Sequence, residues 1–177
     1  MSRYRGPRLK ITRRLGQLPG LVQKTTHRTS LPGEHGDANR KLSQYAIRLQ
    51  EKQKIRYNYG LTEKQLLAYV KKARRLQGST GENLLMLLEK RLDATVFRLG
   101  LAPTIRSARQ YINHGHVLVN SKKVTIPSYM CQEKEELKLT LDKVTTDKQV
   151  ATVDSFQRSS LHLDVQELLI VEFYSRK

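Results

Sequence analysis

The sequence predicts an α+β protein: a helical N-terminal lobe, a small mixed segment after it, and a short apolar C-terminal element. Two observations carry this. Apolar residues recur at helical spacing from residue 43 to residue 113, and they alternate with polar ones at 117–119 and 137–141. A third observation, charge, says what the fold is for. The chain has 177 residues with 33 Lys plus Arg against 16 Asp plus Glu, a net charge of +17, which draws a polyanion from any direction. That charge is uneven. Residues 1–132 hold 26 basic and 7 acidic side chains, whereas residues 133–177 hold 7 and 9, so the binding face belongs to the first three quarters. The single cysteine, Cys131, excludes an internal disulfide and a multi-cysteine zinc site. The longest apolar runs, Leu84 to Leu88 and Leu168 to Val171, fall far short of the roughly 20 residues that span a bilayer.

The first 42 residues carry no acid before Glu34, a bias shared with transit peptides. Gly6-Pro7, Pro19-Gly20 and Pro32-Gly33 interrupt an amphipathic helix there. The segment is therefore expected to be an irregular basic arm shaped by RNA, a disordered tail being the plain alternative.

Ser43 to Tyr57 reads as a helix on which Arg48, Lys52 and Arg56, four residues apart, form a basic stripe. The next helix opens on a capping-box pattern, Thr62 to Gln65, and ends before Gly78. Leu66, Val70 and Ala73 face one way on it, and Lys64, Lys71, Lys72 and Arg75 the other. A third helix follows Gly78-Ser79-Thr80-Gly81 with Leu84, Leu85, Leu87 and Leu88 as core. A glycine-rich loop at a helix start can hold phosphate, but Glu82 in the first turn repels it and no Lys-Ser/Thr follows. Plain capping is expected there.

Arg91 to Tyr129 is the most informative stretch. Leu92, Val96 and Leu99 form a helical stripe with Arg91 and Arg98 on another side. Thr104 is a good N-cap for a helix that points Ile105, Ala108 and Ile112 inward and leaves Arg106, Arg109, Gln110 and Asn113 on the remaining face. Gly115 suits a helix end, and Val117 and Val119 followed by Asn120-Ser121 read as a hairpin carrying Lys122 and Lys123. Two basic helix faces and this hairpin are expected to converge on one phosphate-gripping surface. Further on, Leu137, Leu139 and Leu141 alternate as in a half-buried strand, and Asp164 with Glu167 resembles a cap opening a last helix, although Leu168 to Val171 alone fits a buried strand equally.

The run Arg91-Leu92-Asp93, Arg98-Leu99-Gly100 with Ala102, Ala108-Arg109-Gln110, His114-Gly115-His116 with Val119-Asn120, and Ile126-Pro127-Ser128-Tyr129 resembles the RNA-binding domain named after small-subunit ribosomal protein S-four. Outside it, Met1 to Gly6, Glu51 to Lys54, Tyr59 to Leu61, Gly78 to Leu85 and Glu172 to Arg176 resemble the ribosomal S-four family itself. Arg13-Arg14-Leu15-Gly16 and Leu18-Pro19-Gly20-Leu21 look like its plastid members, with the bacterial cytoplasm as the alternative location. A chain that opens on MSRYRG without an import leader fits synthesis inside the organelle.

The resemblance implies residues 1–88 as a basic arm and helical rRNA-binding lobe, 89–150 as an inserted S-four-type RNA-binding domain (two helices plus a small antiparallel sheet), and 151–177 as a shortened C-terminal segment, with its helix, packing on the first lobe. The stretch between about Thr146 and Leu161 is shorter than in most relatives. The family also implies binding to the 5′ domain of small-subunit rRNA early in assembly, contact with small-subunit protein S-five, and a place at the mRNA entrance that affects decoding accuracy. No cofactor, metal, membrane or small-molecule substrate is implied. On that analogy Arg91, Arg98, Arg106, Arg109, Lys122 and Lys123 contact phosphate, Gln110, Asn113 and Asn120 contact ribose or base, and His116 offers an RNA-facing imidazole. Arg3, Arg5, Arg8, Arg13 and Arg14 thread into RNA grooves, and Arg48, Lys52, Arg56, Lys71, Lys72 and Arg75 on the helical lobe are expected to bind RNA as well.

Plainer readings stand beside these. His114 and His116 lack a third and fourth metal ligand nearby, Asp93 beside Arg91 suits a salt bridge better than catalysis, and Tyr45, Tyr57, Tyr59 and Tyr111 suit packing better than base stacking. An RNA-modifying enzyme would need a catalytic domain, and no nucleophile motif, metal-ligand set or nucleotide loop is present. A general RNA chaperone or a protein bound to an anionic membrane would explain the charge and not the motif. Ser121 stands where the family's hairpin has glycine, which makes the left-handed turn more costly.

Overall fold

The computed structural model describes residues 4–25, 27–28, 30–36, 41–140, 150–153 and 163–175. Its elements run α1 (Arg8–Leu15), α2 (Gln44–Asn58), α3 (Glu63–Ala73), α4 (Thr80–Glu89), α5 (Leu92–Arg98), α6 (Ile105–Asn113), β1 (Val117–Val119), β2 (Lys122–Lys123), β3 (Glu136–Leu139), β4 (Val150–Thr152) and α7 (Glu167–Ser175). They form two compact units, Met1–Leu85 with Leu163–Lys177, and Met86–His162. The α+β class is what the structure has.

The first unit is helical. Its N-terminal segment is not wholly irregular, contrary to expectation: a short helix fits between the Gly6-Pro7 and Pro19-Gly20 breakers. Pro7 sits at the N-cap of α1, where a missing N–H costs nothing, and Gly16 ends it at φ +91°. Ile11 and Leu15 are buried on α1, and Leu18 and Leu21 beyond it are almost fully buried. The Gly20 N–H donates to the buried Asn58 side chain at 2.9 Å, so this stretch is tied to α2.

Local signals set the next two helices. The Ser43 hydroxyl accepts from the Ala46 N–H at the start of α2, and Thr62 and Gln65 close a full capping box at the start of α3. On α3, Leu66, Val70 and Ala73 are buried; on α4, Leu84, Leu85, Leu87 and Leu88 are. The C-terminal run is a helix, α7, and packs on α2 and α3. It starts at Glu167, so Asp164 lies three residues ahead of it. The carboxylate of Glu51 on α2 instead accepts from the Gln166 N–H at 3.1 Å, supplying from α2 the acceptor that Asp164 was expected to provide.

The second unit packs α5 and α6 with an antiparallel sheet of order β2-β1-β3-β4. Leu92, Val96, Ala108, Ile112, Val117, Val119, Leu137 and Leu139 make its core together with Cys131. The alternation at 137–139 is buried inward as a half-buried strand requires; Leu141 lies outside the described residues, as does most of the stretch 146–161 apart from β4 and Val153.

A candidate nucleic-acid interface

In the second unit the hairpin is built by its turn. Val119 pairs with Lys122, and Asn120 and Ser121 both take positive φ, 46° and 65°, the pair of left-handed residues that a two-residue type I′ connection needs. Ser121 adopts it despite its Cβ. Asn120 then closes the turn on the sheet: its N–H donates to the Glu136 carbonyl, and its side-chain oxygen accepts from the Glu136 N–H, both at 2.9 Å. This leaves Lys122 and Lys123 exposed on an edge strand.

Gly115 brings the end of α6 to the same place. The aliphatic end of Lys123 lies across it so closely that a Cβ there would collide with Lys123 Cε, and its φ is +77°. The left-handed φ favours glycine here, and its bare Cα lets the Lys123 stem lie close. Lys123 thus lies at the end of α6, where Gln110, Asn113 and His114 are exposed. His116 is half-buried beside them, its ring 6.1 Å from that of His114. Among the described residues no group of three or more His, Cys, Asp or Glu is placed to hold a metal.

Two of the arginines assigned to phosphate are turned to another task. Asp93 is fully buried. Its Oδ1 accepts from Arg91 Nε at 3.0 Å and from the Ala94 N–H at 2.9 Å. Its Oδ2 accepts from Arg91 Nη2 at 2.8 Å and from Arg109 Nε at 2.6 Å. One carboxylate thus ties the start of α5 to the middle of α6, satisfied by charge-assisted bonds. Arg91 is itself buried. The segment Ile126 to Tyr129 is pinned to the same place, the Leu92 and Asp93 N–H groups donating to the Tyr129 and Pro127 carbonyls at 2.8 and 3.2 Å. Tyr129 donates to buried Glu135 at 3.0 Å, a bond that pushes the phenol above its ordinary pKa, with burial adding to it. Arg98 and Arg106 are half-buried. Burial pushes the Cys131 thiol up to about 11, so it stays protonated and inert at neutral pH.

In the first unit the two basic helices differ. Lys71, Lys72, Arg74 and Arg75 are exposed at the end of α3, and Lys64 at its start. The α2 stripe faces the protein. Arg48 Nε donates to Glu172 of α7 at 2.6 Å; Lys52 is buried, pairs with Glu63 at 3.0 Å and lies 4.7 Å over the Phe173 ring. Arg56 is half-buried, donates to Gln53 and rests 5.2 Å from the Tyr57 ring. On the N-terminal segment Arg5, Arg8 and Arg14 are exposed, whereas Arg13 is spent on the backbone, its Nε and Nη2 donating to the Ser30 carbonyl at 3.1 and 2.7 Å. Arg3 lies outside the described residues. Of the tyrosines, Tyr59 is buried, Tyr57 and Tyr111 are half-buried, and Tyr45 is exposed beside Phe173.

Sequence reasoning passed over Lys10 and Arg74, both exposed on the basic side of their helices. Arg74 sits at the C-cap of α3, where a cation also meets the negative end of the helix dipole. That rule picks it out from sequence once the helix end is fixed.

Comparison with known proteins gives two adjoining family matches. A family model described as "Ribosomal protein S4/S9 N-terminal domain" matches residues 3–89, and one described as "S4 domain" matches residues 90–137. The small ribosomal subunit protein uS4c of Rhodomonas salina is 53% identical over 201 residues, covering all of both chains. Its counterpart from Oltmannsiellopsis viridis is 55% identical over 200, covering 99% of this chain and all of the relative. The small ribosomal subunit protein uS4 of the cyanobacterium Thermosynechococcus vestitus is 50% identical over 203, again across both chains. These alignments exceed the 177 residues of this chain by more than twenty positions. On the full-length identity and the two adjoining family models, the chain belongs to the ribosomal protein S4 family, in its chloroplast and cyanobacterial type.

Proposed function

We propose that this protein is a structural constituent of the small subunit of the plastid ribosome, binding the 5′ domain of its rRNA early in assembly and carrying no catalytic chemistry. The observation that carries the reading is the exposed cation set in each unit, on a chain with family-wide identity. The contacts we assign are Arg5, Arg8, Arg14, Lys71, Lys72 and Arg75 in the first unit, and Arg106, Gln110, Asn113, His116, Lys122 and Lys123 in the second. Half-buried Arg56 and Arg98 stand behind them. Arg91 and Arg109, held on Asp93, and Arg13, Arg48 and Lys52, held within the first unit, shape the surface rather than meet the RNA. Asn120 serves the turn first. Contact with small-subunit protein S-five and a place at the mRNA entrance, with its effect on accuracy, follow from the family and belong to the same proposal.

Ultraviolet crosslinking with sequencing on ribosomal fractions tests it, followed by affinity for the crosslinked RNA across a salt series. Crosslinks gathered at one junction of small-subunit rRNA, with affinity falling steeply as salt rises through counterion release, are expected. Scattered crosslinks on free RNAs would overturn the ribosomal assignment in favour of a general chaperone.

A further inference from the structure

Between α1 and α2 in the first unit lies a groove of about 570 Å³, within the range of about 300–1,000 Å³ typical of small-ligand sites. We propose that it holds one unstacked nucleotide of the bound RNA, with the base against Tyr4 and Tyr57 and the phosphate at Lys10 and Arg14. This rests on the reading of the chain as an rRNA-binding protein and adds a base-binding site to its phosphate-binding surface.

Three features fit that occupant. The first is the aromatic wall. Tyr4 is 40% exposed and held in one place: its ring meets the Tyr57 ring edge-on, 5.3 Å between centroids at 75°, and folds back over Gly6. A Cβ on Gly6 would lie 2.5 Å from Tyr4 Oη and 2.6 Å from Cζ, so the bare Cα of residue 6 leaves room for the ring. An exposed aromatic ring fixed beside a second one is a stacking platform, and base stacking is tolerant of sequence because every base offers a π face.

Charge is the second. Lys10 and Arg14 are exposed on α1, four residues apart and hence on one face, and both line the groove. No carboxylate is among the groove's lining residues. An apolar peptide side chain would use the floor and leave these cations unanswered, whereas a nucleotide satisfies both at once. The third feature is the floor itself, where Ala46 and Leu49 offer apolar surface beside the Gln50 and Gln53 amides, a mixture that suits the face and the edge of a base.

The test uses the full chain and a transcript of the small-subunit rRNA 5′ domain, with affinity measured across a salt series. Ala46→Trp fills the groove without removing a cation, and Tyr4→Ala removes the platform from a residue outside the core. Each is expected to weaken binding about tenfold, in line with a lost base stack, while the slope of log affinity against log salt stays as in the wild type. Short-wavelength crosslinking followed by mass spectrometry should place one nucleotide on the peptide holding Tyr4 or on that holding Tyr57. Wild-type affinity in both variants, or crosslinks that avoid both peptides, would overturn the site while leaving RNA binding intact. A slope that falls along with affinity would also overturn it, since the groove would then act through its cations alone. Failure of the wild-type chain to bind the transcript removes the underlying reading and the site with it. Should Ala46→Trp not fold by circular dichroism, Tyr4→Ala decides.

Discussion

Helices α2 and α3 carry cations at the same kind of spacing and put them to opposite uses. On α3 the apolar face of Leu66, Val70 and Ala73 is buried and Lys71, Lys72 and Arg75 are left to solvent. On α2 the stripe of Arg48, Lys52 and Arg56 lies on the protein side, two of its members paired with Glu172 and Glu63. Periodicity says which residues share a face and is silent about where that face points. Direction comes from the packing partner, here α7, with which Arg48 pairs across 124 residues of sequence.

The contrast between inward and outward cations is tested most severely at Asp93. Asp93→Ala leaves buried Arg91 and the guanidinium of Arg109 without their carboxylate, and the loss of stability expected for breaking a buried pair is about 3–5 kcal/mol. Urea denaturation measures it. Cys131 gives a reading confined to the second unit: its buried thiol, inert in the wild type, should react with a disulfide reagent much faster in the variant. A variant as stable as the wild type would show that the triad is dispensable.

Next in size is the outward set. Lys71→Glu with Lys72→Glu and Arg75→Glu should lower affinity for the 5′ domain transcript by about 100-fold, a steep loss because each neutralised phosphate contact also reduces the salt slope by about 1. The fold should be untouched, within about 0.5 kcal/mol by urea denaturation, as for exposed sites generally. Equal losses of affinity and stability would erase the distinction between the two helices.

Lys52→Ala should do the reverse, costing about 1–3 kcal/mol of stability through a lost charged hydrogen bond and lost packing over Phe173, with the salt slope of RNA binding unchanged. It also carries a pH signature. Burial pushes the Glu63 carboxyl up, but the hydrogen bond from Tyr174 and the bond and charge of Lys52 outweigh it and hold the group below its ordinary value of 4.5. A carboxyl lowered by folding contributes stability that is present above that value and lost as pH falls through the folded pKa. Removing Lys52 should make the acid-side fall in urea midpoint shallower. The smallest effect belongs to Arg48→Ala. Its partner Glu172 is 49% exposed, so the expected cost is under about 1 kcal/mol and shrinks further in high salt.

What was legible in the sequence was local. The capping box of α3, the N-cap at Thr104 and the Asn120-Ser121 turn each involve neighbours a few residues apart, and each is present. The α1 helix was missed because Gly6-Pro7 and Pro19-Gly20 were weighed as breakers within a segment, when Pro7 opens a helix that ends at Gly16, before the second pair. The pairing of Asp93 with Arg91 was legible two residues apart, but Arg109, sixteen residues after Asp93, joins the ion pair only when α5 and α6 pack. The cap from Glu51 to Gln166 spans 115 residues and has no sequence signature at all.

The hairpin lysines have one more consequence. Strand β2 is an edge of the four-stranded sheet, and an open edge is a template on which another copy of the chain can add a strand. Two residues long and carrying Lys122 and Lys123 on exposed positions, it offers little to pair with and repels a like-charged copy. The two side chains that we assign to the RNA would therefore also guard the free protein against self-association, so removing them is expected to put solubility at risk along with affinity.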